Sequence, residues 1–481
     1  MPAADMAGCR AVVLGLGRFG GGLGVARWLL DQGARVTVTD LLDAEQLAEP
    51  AAELAKRGAR LVLGGHDGLD LGDTDLLVVN PAVPLSAPLV REARQRDIPL
   101  TSEIALLMER WPGPLVGVSG SNGKSTTVGL ITSLLEAAGQ PAVAGGNLGG
   151  SLLESLAGNS VPGPEPGTVA VLELSSFMLE LLGERRLGPE VAVLTNLTPN
   201  HLDRHGSMEA YRDAKAAILS CARVAVLPWG DPWLEPLGES VSYETRWFGE
   251  HGSGAAELDQ GSVQGTVQGV DLGVDLAGDL RNGQGRCVLE TARNPLAGRM
   301  NRIDLAAAIL AAQAALGDTE RVFQAIPEAL ERYQAPPHRL QEVACLAGVR
   351  WVDDSVSTTP ESTAASLEAV EGSCILIAGG HDKGLDPEPL LVAARQGCRM
   401  VLTVGEEGPL LAETLNRRGV PAELVDTVEA AVVRAAGLAQ LGETVLLSPG
   451  YSSHDQFAHF EERAAVFARA VGRLGGSGAL S

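Results

Sequence analysis

The feature that most constrains the fold is an apolar strand that runs directly into a glycine-rich loop and a helical stretch. Residues 115–119 read LVGVS, and residues 120–126 continue as GSNGKST. Glycines in such a loop let backbone N–H groups surround a phosphate at a helix N-terminus, while a lysine neutralises phosphate oxygens and a following hydroxyl reaches Mg²⁺. The strict GxxxxGK[ST] spacing is not met, because Val118 stands six residues before Lys124. The context nevertheless predicts a phosphate-binding loop, which we name the phosphate loop, rather than a glycine turn with an incidental lysine.

The order of strand and helix signals predicts an α/β protein of several domains. A chain of 481 residues is longer than one hydrophobic core serves. Continuous apolar runs such as 169–173 and 191–195 are typical of parallel strands covered on both faces. Between 230 and 290 the pattern weakens and predicts loose antiparallel strands or a variable insert. We expect three domains, namely a Rossmann-like N-terminal domain (1–110), a central P-loop ATPase-like parallel-sheet domain (111–335) and a C-terminal Rossmann-like domain (336–481).

Charge and cysteine usage exclude several classes of partner. The formal net charge of −23 argues against binding to nucleic acid or to an anionic membrane, both of which need a basic surface. The six cysteines form no CxxC pair, which predicts reduced thiols in a cytoplasmic protein. No apolar run of about 18 residues occurs, and the N-terminus lacks a basic segment followed by an apolar one. The sequence therefore predicts neither membrane insertion nor a signal peptide.

Lysine is rare in this chain, and its positions are informative. Only four of the 37 basic residues are lysines. Lys124 lies in the phosphate loop, Lys215 follows an HLDRH segment, and Lys383 lies in the segment GGHDKG, whereas Lys56 has the surroundings of an ordinary solvated helix face. Lysine can lose its proton and act as a nucleophile, but arginine stays protonated. The first three lysines are therefore candidates for roles that arginine cannot fill.

Two further side chains are predicted at the carboxyl ends of neighbouring strands. Glu173 ends one buried apolar run, and His201 follows the next one. Ligands bind at that edge of a doubly wound sheet, so a carboxylate and an imidazole beside the phosphate loop indicate a Mg²⁺ site. Taken singly, each could be an ordinary strand-end acid or loop histidine. His205 is interpreted as orienting the His201 loop, with a ligand role as the alternative.

Several separated motifs together resemble the Mur ligases of peptidoglycan synthesis. They occur in family order and span almost the whole chain: GVSGSNGKSTT at 117–127, GGN at 145–147, LELSSF at 172–177, NHLDRH at 200–205, His338–Arg339, SP at 448–449 and DQFAHFE at 455–461. The likeness is greatest to the branch of the family that adds glutamate.

The resemblance implies an activity. It is the ATP-dependent addition of D-glutamate to UDP-N-acetylmuramoyl-L-alanine through an acyl phosphate, with L-glutamate as the alternative amino acid. It implies ATP, two Mg²⁺ sites and a CO₂-derived carbamate on Lys215 as cofactors. The partners would be UDP-N-acetylmuramoyl-L-alanine, glutamate and ATP, and the protein would act as a monomer in the cytoplasm. Only an amine can become a carbamate, so an arginine could not replace Lys215 in that role.

The resemblance also implies the residues of each site. The catalytic residues would be Lys124, Glu173, His201 and Lys215. The metal ligands would be Ser125, Glu173, His201 and carbamylated Lys215. ATP would be bound by Gly120, Ser121, Asn122, Gly123, Lys124, Ser125, Thr126, Asn301, Arg339 and Asp354. The UDP substrate would be bound by Gly17, Arg18, Phe19, Asp40, Asn147 and Ser175. Glutamate would be bound by Thr358, Lys383, Ser453 and Phe460.

The chain departs from the family pattern at a few positions near these sites. The family often has glutamine at Met178, histidine at Met300 and asparagine at Asp304, and the last two changes could alter contacts with adenine. Val356 stands where well-known members have a lysine, which removes a cation near the amino acid and leaves its stereochemistry open. Residues 41–42 are both leucine instead of the polar pair that can hold uracil, so the mode of UDP binding could differ.

Parts of the sequence are also compatible with three functions other than that of a Mur ligase. Gly15, Gly17 and Gly20 followed by Asp40 match a dinucleotide fingerprint, so residues 1–110 alone would suit an NAD-dependent dehydrogenase. That reading leaves the phosphate loop and the third domain unexplained. A folyl-polyglutamate-type ligase would share the phosphate loop and the carbamylated lysine but lack this first domain and the closing motifs. A non-enzymatic ATP-binding switch is disfavoured by the retained Lys124 and Lys215.

Overall fold

Three β-sheets follow one another along the chain. The computed structural model describes residues 6–16, 20–156, 163–239, 242–250, 270–293, 296, 298–370 and 372–476, without the side chain of Asp203. The sheets have five, nine and six strands, and each is covered by helices. The predicted α/β class with three successive parallel-sheet units is thereby confirmed.

The first sheet is a parallel, doubly wound sheet in the order β3-β2-β1-β4-β5. Its chain reversal beside β1 places the glycine-rich segment after β1 at the edge where such sheets bind ligands. Its strands and helices are β1 (Arg10–Leu14), α1 (Gly21–Asp31), β2 (Arg35–Asp40), α2 (Ala48–Lys56), β3 (Arg60–Leu63), β4 (Leu76–Val79), α3 (Pro88–Gln95), β5 (Leu100–Thr101) and α4 (Glu103–Met108).

The second sheet carries the phosphate loop on a central strand. Its order is β14-β13-β12-β11-β10-β9-β6-β8-β7, in which β6 to β12 are parallel and β13 and β14 are antiparallel. Its elements are β6 (Leu115–Ser119), α5 (Lys124–Ala137), β7 (Ala142–Gly146), β8 (Val169–Glu173), α6 (Ser176–Arg185), β9 (Val191–Leu194), α7 (Leu202–His205), α8 (Met208–Ala216), β10 (Val224–Pro228), β11 (Glu244–Glu250), β12 (Leu272–Val274), β13 (Leu280–Asn282), β14 (Cys287–Leu289), α9 (Arg299–Leu316) and α10 (Thr319–Arg332).

The stretch between 230 and 290 contains both parallel and antiparallel strand pairs. The predicted antiparallel strands are present as β12, β13 and β14. The expectation is wrong for β11, which extends the parallel sheet beside β10. The side chain of Phe248 on β11 is fully buried, so this strand belongs to the core rather than to an insert. Residues 251–269 lie outside the described part of the chain.

The third sheet has the order β15-β16-β20-β17-β18-β19 and is parallel except between β15 and β16. Its elements are β15 (Gln341–Leu346), β16 (Val349–Asp353), α11 (Pro360–Ala369), β17 (Cys374–Gly379), α12 (Glu388–Gly397), β18 (Cys398–Val404), α13 (Gly408–Arg417), β19 (Ala422–Asp426), α14 (Val428–Ala436), β20 (Thr444–Leu447) and α15 (Phe460–Gly476).

Buried apolar strands position the candidate site. In the second sheet β8, β6 and β9 are neighbours, and all their residues are buried. Because these strands are parallel, the residues that follow them meet at one edge of the sheet. Across the described residues, no helix has both the length and the apolar character that crossing a bilayer requires.

Candidate active site

The phosphate loop leaves β6 and enters α5 through two glycines with positive φ. Gly120 has φ 145° and Gly123 has φ 79°. A Cβ on Gly120 would lie 1.9 Å from Oγ1 of Thr195, so no side chain fits there. Thr195 Oγ1 donates to the carbonyl oxygen of Asn122 at 2.5 Å, and the Asn122 amide donates to Asn196 Oδ1 at 3.0 Å. The two residues after β9 therefore hold the loop in shape, a role that the sequence analysis did not assign.

Glu173 ends β8 beside the start of α5. Its Oε2 accepts a hydrogen bond from Ser125 Oγ at 2.6 Å, and its Oε1 accepts one from Asn147 Nδ2 at 3.0 Å. The side chain is 3% exposed. The structure thus brings together two of the implied metal ligands, Ser125 and Glu173, at the first turn of α5. It also places Asn147, implied as a substrate contact, against the carboxylate.

Lys215 reaches the phosphate loop from α8. Its Nζ donates to the carbonyl oxygen of Gly120 at 2.7 Å and lies 4.8 Å from the centre of the Tyr211 ring. The side chain is 2% exposed. Desolvation, followed by the nearby charge of Lys124, holds the pKa of Lys215 well below its usual range. The lysine is therefore a buried amine whose charged form is disfavoured.

Tyr211 is a buried residue of this site that the sequence analysis did not single out. Its hydroxyl lies 3.2 Å from Ser121 Oγ, and Ser121 Oγ donates to the carbonyl oxygen of Thr198 at 2.9 Å. Tyr211 precedes Lys215 by four residues, so both lie on the same face of α8. The four-residue spacing between Tyr211 and Lys215 in the segment YRDAK is the sequence signal that could have indicated a role for Tyr211.

His201 stands in a left-handed conformation at the start of the short helix α7. Its φ is 53°, and its ring packs edge-to-face on Phe177 with centroids 5.0 Å apart. The guanidinium of Arg204 lies 4.0 Å from the Phe177 ring centre. His205 Nε2 is 3.0 Å from Ser176 Oγ, which ties the loop to the start of α6. This geometry favours the reading of His205 as a residue that orients the His201 loop.

Residues from the third domain approach the phosphate loop. Arg339 follows α10, and its charge acts on Lys124, Asp304 and Asp354. Its Nε is buried and has no hydrogen-bond partner among the described residues. Asn301 and Asp304 lie in the first two turns of α9, which packs along α5. Arg339 and Asp304 therefore lie close to the loop, since the charge of Arg339 acts on Lys124 and the carboxyl of Asp304 lies against Gly123.

Asp354 is held inside the third domain. Its Oδ2 accepts hydrogen bonds from Ser366 Oγ at 2.6 Å and Ser448 Oγ at 2.7 Å, and its Oδ1 accepts one from the Leu340 amide at 3.2 Å. Burial raises the pKa of this carboxyl, although the charge of Arg339 acts in the opposite direction. The side chain has few lone pairs left for a ligand.

Three of the four implied glutamate residues, Thr358, Lys383 and Ser453, lie in loops that follow strands of the third sheet. Lys383 Nζ donates to Thr358 Oγ1 at 3.3 Å, which brings two of the four together. Ser453 is buried, and Phe460 begins α15 with its carbonyl oxygen accepting from Ser355 Oγ at 2.9 Å. Lys383 is exposed, so a ligand could reach its ammonium group.

The implied UDP residues are only partly described. Gly17, Arg18 and Phe19 lie outside the described residues. The carboxylate of Asp40 accepts hydrogen bonds from the amides of Leu16 at 2.8 Å and Leu42 at 2.9 Å. Ser175 caps α6, because its hydroxyl accepts from the Met178 amide at 3.2 Å. Both side chains therefore hold local backbone, and their substrate contacts stay predictions.

Three family models match successive parts of the chain. The MurD-like N-terminal domain of Mur ligases matches residues 9–102, the Mur ligase middle domain matches 118–312, and the Mur ligase glutamate ligase domain matches 338–450. Two relatives are both named UDP-N-acetylmuramoylalanine–D-glutamate ligase. The one from Symbiobacterium thermophilum is 34% identical over 97% of this chain and 98% of its own length. The one from Geobacter metallireducens is 36% identical over 98% of this chain and 99% of its own length.

Solved structures show the same fold. The UDP-N-acetylmuramate-alanine ligase MurC of Thermotoga maritima superposes with a TM-score of 0.60 at 19% identity, covering 97% of this chain and 99% of that one. The MurF ligase of Thermotoga maritima, solved with ADP, superposes with a TM-score of 0.58 at 17% identity, covering 98% of this chain and 99% of that one. The fold is thus shared with Mur ligases of only 17–19% sequence identity.

Proposed function

The chain belongs to the Mur ligase family, and we propose that it joins D-glutamate to UDP-N-acetylmuramoyl-L-alanine at the expense of ATP, making a peptidoglycan precursor. The observation that carries this proposal is the 34–36% identity to ligases of that name over nearly the whole chain. The dehydrogenase reading of the first domain has no role for the middle and C-terminal domains that the family models match.

The domains divide the work in this proposal. Residues 1–110 bind the UDP moiety, residues 111–335 bind ATP and Mg²⁺, and residues 336–481 contact nucleotide and amino acid. The acidic net charge of −23 gives no support to a nucleic-acid partner. That the protein acts in the cytoplasm as a monomer stays a prediction. Size-exclusion chromatography with light scattering would test the oligomeric state.

The residues around Glu173 fit a bound Mg²⁺. Mg²⁺ prefers oxygen ligands, and the Ser125 hydroxyl and Glu173 carboxylate already lie 2.6 Å apart at the phosphate loop. Among the described residues no group of three histidine, cysteine or acidic side chains forms a ready metal site. A complete ligand set here would therefore need phosphate oxygens, water, His201 or a carbamate on Lys215. When bound, Mg²⁺ would neutralise charge on the transferred phosphoryl group.

Lys215 is suited to carry a carbamate. Its Nζ hydrogen-bonds to Gly120 O at 2.7 Å and lies 3.4 Å from Ser119 Oγ, and no described carboxylate forms an ion pair with it. The buried amine would attack CO₂, forming an N–C bond and releasing one proton to solvent. The resulting anion would offset the positive charge of Lys124 nearby and supply oxygen ligands that a free lysine lacks.

The proposed reaction proceeds in two steps. The carboxylate of the alanyl substrate attacks the γ-phosphorus of ATP, ADP leaves, and an acyl phosphate forms. The amine of glutamate then attacks the acyl carbon, inorganic phosphate leaves, and the amine loses a proton. The phosphate loop amides and Lys124 would bind the nucleotide phosphates, so the protein contributes mainly orientation and charge stabilisation. Lys383 and Thr358 would hold the glutamate near the acyl carbon.

The decisive experiment measures phosphate release from ATP with UDP-N-acetylmuramoyl-L-alanine, supplying D-glutamate or L-glutamate in separate reactions. We expect turnover with D-glutamate and none with L-glutamate. Turnover with L-glutamate alone would assign the protein to the other branch and make Val356 the first residue to examine. No turnover with either would contradict the proposed substrate pair while leaving the family membership intact.

A further inference from the structure

A buried carboxyl group lies against the phosphate loop. Asp304, on α9, is 4% exposed. Its Oδ1 and Oδ2 lie 2.4 and 2.7 Å from where a Cβ on Gly123 would be, and Gly123 immediately precedes α5. The carboxyl therefore occupies space beside the helix N-terminus at which the loop would hold phosphate. It accepts no hydrogen bond from the described residues.

The groups that face Asp304 come from three elements. Lys124 approaches from α5, and Arg339 approaches from the segment after α10. The phenol of Tyr333, at the end of α10, is neutral between pH 6 and 8, and burial raises its pKa further, to about 12. Asp354 faces Arg339 from the third domain. Two cations thus act on this one carboxyl, but neither forms an ion pair with it.

We propose that Asp304 is protonated when a nucleotide occupies the phosphate loop, so that nucleotide binding takes up a proton at this side chain. The inference rests on the proposed function in one respect, namely that the loop binds a nucleotide. The proton comes from the buffer and forms the O–H bond of the carboxylic acid. In that form Asp304 presents an O–H donor as well as an acceptor oxygen, so that like an asparagine it can both donate and accept hydrogen bonds.

The physical reason is repulsion between the Asp304 carboxylate and the phosphates of a nucleotide bound beside it. Burial already raises the pKa of Asp304 to about 7, even though Arg339 and Lys124 both act to lower it. A nucleotide would add negative charge beside the carboxylate and draw those two cations toward its phosphates. Both effects raise the pKa further in the complex. A neutral carboxylic acid can instead donate a hydrogen bond to the ligand.

The sign of the linkage fixes the expected pH dependence. Because the pKa is higher in the complex than in the free protein, affinity is fully present below about pH 7 and is lost as the pH rises above it. At pH 8 only about one tenth of the free protein holds the proton, so the Kd is about tenfold higher than at low pH. Asp304→Asn carries no titratable group and lacks this component.

The test measures the Kd of ADP by calorimetry between pH 6 and pH 8 for the wild type and for Asp304→Asn. The terminal phosphate of ADP titrates in this range as well, so the ratio of the two proteins' Kd values is the quantity to follow. We expect that ratio to change about tenfold across the range. A ratio constant within twofold would overturn the inference, although ADP binding itself would still support the proposed nucleotide site.

A matched control is Glu103→Gln. Glu103 begins α4 in the first domain, and burial raises its pKa to about 7 as well, but it is hydrogen-bonded to Ser151 and not near the phosphate loop. This variant should keep the pH dependence of the wild type. If it abolished the dependence, the proton would belong to Glu103 and the assignment to Asp304 would be wrong.

Two further measurements keep the inference testable if Asp304→Asn does not fold. Asp304→Ser is a smaller neutral variant that should show the same loss of pH dependence. Wild-type calorimetry at pH 8 in two buffers of different ionisation enthalpy counts the protons taken up directly. An uptake near zero would overturn the inference without any variant. Failure of ADP to bind at any pH would instead remove the proposed nucleotide site, and this inference with it.

Discussion

Replacement of Asn147 by leucine separates two roles for this residue. In the structure its Nδ2 donates to Glu173 Oε1 at 3.0 Å, and its backbone amide donates to the Glu173 carbonyl oxygen at 2.9 Å. Leucine keeps the backbone contact and removes the side-chain donor. The family resemblance implies that Asn147 touches the substrate, whereas the geometry indicates that it orients the carboxylate proposed to bind Mg²⁺.

The size of the effect follows from the single hydrogen bond that is lost. A hydrogen bond to a charged acceptor contributes about 1.5–3 kcal/mol. Asn147 is exposed, although Glu173 is buried, so the lower end of that range applies. About 1.5 kcal/mol corresponds to roughly a tenfold weaker interaction with Mg²⁺, similar to the effect of removing partners that orient metal ligands elsewhere.

The assay is the Mg²⁺ concentration that gives half-maximal phosphate release at saturating substrates. Asn147→Leu should raise it about tenfold while changing the KM for the UDP substrate by less than about twofold. Asn416→Leu removes an asparagine that donates only to backbone carbonyls of the third domain, and it should alter neither value. An unchanged Mg²⁺ requirement with a raised KM for the UDP substrate would refute the positioning role and support the substrate contact.

Three further predictions concern the phosphate loop and the two other candidate lysines. Lys215→Arg should abolish turnover because a guanidinium forms no carbamate, and short carboxylates should partly restore Lys215→Ala; near-normal turnover of Lys215→Arg would exclude the carbamate. Lys383→Arg should mainly raise the KM for glutamate, because its ammonium donates to Thr358 at 3.3 Å; a change confined to the KM for ATP would contradict that assignment. Gly120→Ala should weaken ADP binding and lower the unfolding temperature, because its Cβ would lie 1.9 Å from Thr195 Oγ1; adding Thr195→Ala should relieve part of this loss, and equal losses in both backgrounds would show that the clash is not the cause.

The strands of the sheet centres were predictable because their signal is local. Continuous apolar runs at 115–119, 169–173 and 191–195 coincide with β6, β8 and β9, whose residues are buried on both faces. Strands near the sheet edges were not named, among them β3, β5, β7 and β19, whose residues are only partly buried. A half-exposed strand carries mixed residues, so its sequence pattern resembles that of a loop.

Within the site, the sequence determined which residues could do chemistry, and the tertiary structure decided which of them meet. The phosphate loop, Glu173 and Lys215 could be singled out because residue type and position along a strand or helix are read directly from the chain. The charge of Arg339 acts on Asp304, which is 35 positions away in sequence and belongs to a different domain. No local pattern encodes that proximity, because it depends on how the third sheet packs against the second.

The protonation state of Asp304 likewise depends on the tertiary structure and not on the sequence alone. The family resemblance implies that Asp304 stands where asparagine is common, but an aspartate on a solvated helix face would be an ordinary anion. Packing of α9 along α5 buries this carboxyl against Gly123 and shifts its pKa to about 7. The sequence by itself determined the residue, the loop and the family. Only burial in the assembled fold decided the charge that the residue carries, because desolvation depends on neighbours brought together from distant parts of the chain.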